Sequence, residues 1–184
     1  MDRRVLEEIR TAAKRVVGAA RPRAPRAGAV CLAAMLRIDL SASVAQGGAA
    51  SMLQRLARAL SAAPRPLIAP RWTGEALSIA FASPVQAARA ALMAKAVAET
   101  ELRIAGHYAI VQRATDPFDR KPFLTGPATA LPARMMLSVP AGAVHVSEDF
   151  AAALNAGSAR NRPHIEYVGD LPPAPVVRLY SLKP

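Results

Sequence analysis

The chain is 184 residues long and 52% apolar, carries a formal charge of +11 and contains one cysteine, Cys31. That length supports one domain with a real core, and a lone thiol excludes an internal disulfide and fits a reducing compartment. No apolar run is long enough to span a bilayer, and the charged N-terminus lacks the apolar segment of a secretory signal, so a cytoplasmic location is expected.

The charge leaves nucleic acid or an anionic membrane open as partners. The basic residues are mostly Arg and the apolar ones largely Ala, a bias that genomic base composition also produces. Aromatic residues make up 4% of the chain, which counts against stacking on single strands.

Residues 1–28 read as a separate unit, a basic amphipathic helix followed by a Pro/Arg linker. Val5, Leu6, Ile9, Ala13, Val16 and Val17 recur at helical spacing among Arg3, Arg4, Arg10, Lys14 and Arg15. Residues 1–27 hold eight Lys/Arg against three Asp/Glu, and Pro22 and Pro25 end the helix. Such a helix lies on a membrane, docks on nucleic acid, or packs its stripe on the domain or a twin subunit.

From Ala29 the elements alternate. Val30–Leu40 is strand-like, Gln46-Gly47-Gly48 is a loop, and Ala49–Ala62 is a helix with Met52, Leu53, Leu56 and Leu60 on one stripe. Leu67–Trp72 and Ala76–Phe81 are strands joined at Thr73-Gly74, with Leu77, Ile79 and Phe81 on one face. Ser83-Pro84 caps a helix running through Val97. Leu102–Gln112 is a strand, Arg113–Phe123 a polar loop, and Gly126-Pro127 opens a helix through Met136. Ala143–Val146, His164–Val168 and Val176–Leu182 are strands, and Ser147 caps a short helix. The order βαββαβαβαββ predicts an α+β fold of the α/β class, a ferredoxin-like βαββαβ core with extra C-terminal strands.

Two acids fall at strand ends in this scheme, Asp39 and Glu75. Side by side they are able to hold a divalent cation such as Mg²⁺. The alternative makes Glu75 a solvated turn acid and Asp39 a helix cap. His107 reads as a packed structural residue, and His145 and His164 have no metal-ligand spacing. Trp72 fits a subunit interface or the core equally. Ser78 and Ser147 have no His or acid placed by sequence to activate them, which argues against a hydrolase.

Six phrases carry a resemblance: RIDLSAS (37–43), RWTGEALSIAF (71–81), LRIAGHYAIV (102–111), FLTGPATALPARM (123–135), VHVSEDF (144–150) and EYVGDLPPAPVVRLYSL (166–182). In this order and at these spacings, residues 29–184 resemble the catalytic domain of class III nucleotidyl cyclases, the adenylate and guanylate cyclases. The resemblance implies a cyclase homology domain in signal transduction that forms cyclic AMP or cyclic GMP at a head-to-tail dimer interface. One subunit supplies two metal-holding Asp for Mg²⁺ or Mn²⁺. The other supplies base readers, a transition-state Asn and Arg, and a phosphate-binding Lys.

Carried over by position, the metal acids fall on Asp39 and Glu75, where Glu replaces the usual Asp and moves the carboxylate by roughly a bond length. The base-reading positions fall on Arg71 and Phe123. The Asn falls on Ala130, which has no donor, and the transition-state Arg on Arg134, which is retained. The Lys position falls near Pro172-Pro173. The resemblance therefore implies a degenerate site: a pseudo-enzyme that forms a homodimer or binds a nucleoside triphosphate weakly. It leaves open a metal-donating role in a heterodimer with an intact cyclase-like subunit. Leu77, Ile79 and Phe81, beside Trp72, are expected to supply apolar area to the subunit interface.

Overall fold

A computed structural model of the chain describes residues 28–98, 102–157, 163–172 and 176–184. The basic segment 1–27 lies outside the described residues. The described strands form one eight-stranded sheet: β1 (Val30–Asp39), β2 (Ile68–Trp72), β3 (Ala76–Phe81), β4 (Arg103–Thr115), β5 (Pro122–Thr125), β6 (Val144–Ser147), β7 (His164–Leu171) and β8 (Val177–Lys183). The order across it is β2-β3-β1-β4-β6-β8-β7, with β5 on the far end of β4. Only β4 and β6 run parallel. The first four positions reproduce the expected ferredoxin-like arrangement.

Strand alternation divides the sheet into two faces. Ala34, Leu36 and Ile38 of β1 join Leu77, Ile79 and Phe81 of β3 in the main core. Three helices cover that face: α2 (Ala49–Ser61), α3 (Pro84–Ala98) and α5 (Glu148–Ala156). The α2 stripe of Met52, Leu53, Leu56 and Leu60 is buried, as its periodicity requires. In α3 the buried residues include Ala87, Ala90, Ala91 and Ala94, whose small size lets the helix lie close to its neighbours. Ser83 Oγ accepts from Gln86 N (3.3 Å) at the start of α3, and Ser147 Oγ accepts from Phe150 N (3.4 Å) at the start of α5, where Glu148 and Asp149 complement the helix dipole.

The expected exposure of Leu77, Ile79 and Phe81 at an interface is corrected: they are 6, 4 and 1% exposed and belong to the core. Trp72 is half-buried against the same cluster. Exposed apolar area lies instead at the outer end of the β1–β4 pair, where Val30, Leu32 and Ile110 are 69, 50 and 67% exposed. Leu32 and Ile110 are direct cross-strand partners.

Three more local expectations change. Ser41–Ala45 forms a short helix, α1. The polar stretch after Gln112 continues β4 to Thr115 and returns as β5. The helix expected from Gly126 is broken into a 3-10 turn (Pro127–Ala130), a five-residue α4 (Leu131–Met135) and a second 3-10 turn. Pro132 sits near the start of α4, and no apolar period runs through the segment.

Gly106 is needed for space. A Cβ there would meet Val146 Cγ1 at 3.0 Å, Leu36 Cδ2 at 3.1 Å and Phe150 at 3.3 Å, all core atoms. Gly106→Ala is expected to cost about 1–3 kcal/mol by overpacking, read as a lower urea midpoint. An unchanged midpoint would mean that the layers slide apart freely.

Candidate functional site

The face without the three helices carries the polar residues. On β1, Ala33 and Met35 form a small apolar cluster there, and by alternation Arg37 and Asp39 follow on the same side. Asp39 pairs with Ala76 on β3 and with Arg103 on β4. Leu40 N donates to Glu75 O (2.8 Å), so Asp39 and Glu75 do sit at neighbouring strand ends.

Their side chains differ in surroundings. The Asp39 carboxylate is 8% exposed by residue and already has three donors. Ser41 N reaches Oδ1 (2.9 Å), Ser41 Oγ reaches Oδ2 (3.1 Å), and the Arg103 guanidinium pairs with Oδ2. The Ser41 contacts make an Asx turn into α1, close to the capping alternative read from sequence. The Glu75 side chain is exposed and makes no hydrogen bond or ion pair with a described residue. As arranged, these donors do not fit a divalent cation, because a guanidinium already occupies the better carboxylate. No group of three or more His, Cys, Asp and Glu suited to a metal exists among the described residues.

Sequence reading did not single out Arg103. Its partner is 64 residues away, and only the β1–β4 register brings the two together. The nearest available signal was a cation at the start of a strand predicted to pair beside β1.

The other expected site residues lie on this face or its edge. Arg71 is on β2, one residue before its end, and is exposed; Phe123 is on β5, half-buried. Both line one cavity of about 250 Å³ with Arg37 and Ser78. Ala130 is exposed at the end of the first 3-10 turn, and Arg134 follows, half-buried, in the last turn of α4. Pro172 is exposed after β7, and 173–175 fall outside the described residues.

One sequence expectation is corrected in detail. A histidine does stand beside Ser147: His107 Nδ1 lies 2.7 Å from its Oγ. Ser147 is 0% exposed and caps α5, so the pair is a buried structural bond with no access for a substrate. Burial holds the His107 pKa below its ordinary value, opposed by nearby Asp149. Burial also lowers His145, whose Nδ1 has no hydrogen-bond partner among the described residues.

Both imidazoles take up a proton less readily folded than unfolded. Stability is therefore complete above the unfolded pKa of about 6.5 and falls as the pH drops through it toward the lower folded values. Urea midpoints are expected to decrease between pH 7.5 and 5.5, with a smaller decrease in His145→Leu. Equal slopes in the two proteins would remove His145 from the account. For the ion pair, Arg103→Met is expected to cost about 1–2 kcal/mol, a value kept low because Arg103 is partly solvated. The same variant should gain Mn²⁺ binding by electron paramagnetic resonance. Tight Mn²⁺ binding by the wild-type chain would show that Arg103 does not compete.

Neither a family profile nor a curated protein matches the sequence. Solved structures do match. An adenylate cyclase from Trypanosoma brucei, studied in its monomeric state, aligns at TM-score 0.65 and 13% identity over 82% of this chain and 87% of that one. The adenylyl cyclase CyaB from P. aeruginosa aligns at 0.66 and 11% identity over 86% and 97%. The dimeric guanylyl cyclase domain of the RhoGC fusion protein from Blastocladiella emersonii aligns at 0.64 and 14% identity over 83% and 96%. The chain has the fold of class III adenylate and guanylate cyclase catalytic domains.

Proposed function

We propose that this chain is a cytoplasmic cyclase-fold signalling domain with little or no nucleotide turnover of its own. It acts by pairing with itself or a partner, or by holding a nucleotide weakly. The observation that carries this reading is the Asp39–Arg103 ion pair, which places a fixed cation on the one buried carboxylate of the expected metal pair. The remaining positions support it. Phe123 stacks on a ring but has no acceptor for a purine amino group. Ala130 offers no donor to a transition state. Losing one such donor commonly costs about a hundredfold in rate or more, and losses acting on one step do not simply multiply. The exposed Val30, Leu32 and Ile110 supply apolar area for pairing.

A second reading has one observation in its favour. Asp39 and Glu75 lie at the β1 and β3 ends, whereas Phe123 and Ala130 belong to the β5–α4 segment. Most of the departures thus belong to the base-reading half-site, and the chain would serve as the metal-giving partner of an intact subunit once Arg103 releases Asp39.

The purified chain, checked for dimers by light scattering, is expected to make no cyclic AMP or cyclic GMP above background with Mg²⁺ or Mn²⁺. Mixing it with an Asp39→Ala/Glu75→Ala copy restored by Arg71→Lys, Phe123→Asp and Ala130→Asn separates the readings. No turnover in the mixture supports the inactive domain, and turnover only in the mixture supports the heterodimer. Robust turnover by the unmixed wild type would sink the first reading.

A further inference from the structure

The cavity between β1, β2, β3 and the β5–α4 segment has a charge pattern that purine reading does not account for. The register pairs Arg37 with Ser78 and Ser78 with Arg71, three cross-strand neighbours in a row on one face. Two strand spacings separate the arginine Cα atoms by roughly 10 Å. None of the residues lining the cavity is Asp or Glu. The Arg37 side chain makes no hydrogen bond or ion pair with a described residue. Arg71 interacts electrostatically with Asp119, an exposed turn residue already bonded to Lys121. The rest of the wall is apolar and includes Met35, Leu124 and the Phe123 ring.

Two guanidiniums facing one small space repel each other, and an anion between them relieves that repulsion. Their planar donor forks match carboxylate and phosphate oxygens, and Ser78 adds a hydroxyl between them. The aromatic and aliphatic wall offers nothing to a bare inorganic ion but packs well on a flat ring. At about 250 Å³ the cavity is smaller than the roughly 300–1,000 Å³ of ordinary ligand pockets, which suits one ring rather than a nucleoside triphosphate.

We propose that this cavity binds a small organic anion, a carboxylate or phosphate monoester attached to one flat apolar ring. Arg37 and Arg71 hold the anionic group, and Phe123 lies against the ring. The site shares Arg71 and Phe123 with the expected base-reading positions, and its test reads binding alone, apart from any nucleotide turnover.

The experiment is calorimetric titration of the full chain at low salt with benzoate, phenyl phosphate, benzamide, inorganic phosphate and AMP. Benzoate or phenyl phosphate is expected to bind, with its neutral or ringless counterpart at least about tenfold weaker. Arg37→Gln should weaken binding about tenfold or more, as loss of a charge-assisted bond predicts. Arg37→Lys should lie between, and circular dichroism should be unchanged in both. AMP binding with the same dependence on Arg37 would assign nucleotides as the source of the anion; ring acids without AMP would assign free acids. Absence of binding by every compound, equal binding of benzoate and benzamide, or an affinity indifferent to Arg37→Gln would each overturn the proposal.

Discussion

The ten-residue antiparallel pairing of β1 with β4 is the constraint on which the rest depends. It runs without a register shift from Val30 opposite Gln112 to Asp39 opposite Arg103. In a strand pair a slip of one residue exchanges the faces, so the pairing has to satisfy both sides at once. One face demands Ala34, Leu36 and Ile38 against the helices, and the other then receives Met35, Arg37 and Asp39. The Asp39–Arg103 ion pair and the placing of Arg37 between Ser78 and Ala105 both follow from that register. Gly106 belongs to the same logic: it leaves room where Leu36, Val146 and Phe150 converge.

The electrostatics of the open face separate into two regions. At the Asp39 end, a buried carboxylate is satisfied by a serine and a guanidinium. Removing the cation would leave a carboxylate short of partners, and adding a second cation requires displacing the first. At the Arg37 end, among the described residues, two of the cations, Arg37 and Arg71, line one cavity with a hydroxyl and an apolar wall, and no acid is in the lining.

Much of the core was legible in the sequence because period and burial speak the same language. The alternation in 76–81 and the α2 stripe both named residues that are buried. Assigning the apolar side of β3 to a subunit interface failed because period says that a face is covered and not by what. The strand β5 was hidden by Pro117, Pro122 and five charges in a stretch that reads as loop, although Phe123 and Leu124 do pair with β4. The short α1 has too few residues to show a period, and it depends on the Asx turn at Asp39. In the candidate site, the family resemblance named Arg71 and Phe123, and these two line one cavity. Arg103 and Arg37 were not, because a charge acquires its meaning from a partner that only the register supplies.

The two faces of the sheet also separate what the fold requires from what the site requires. Identities of 11 to 14% accompany TM-scores of 0.64 to 0.66 against the three cyclase domains compared. The helix-covered face is constrained by packing, where even one added methyl group meets core atoms, as at Gly106. The open face has its own buried cluster of Ala33, Met35, Ala80 and Val111, but Phe123 and Ala130 lie outside it. Substitutions there alter what is bound or turned over at little cost to folding, so the fold alone does not fix the activity. Arg103 belongs to both regimes. It anchors the buried end of β1 through Asp39 and sets the charge of the open face, so replacing it tests stability and chemistry with one side chain.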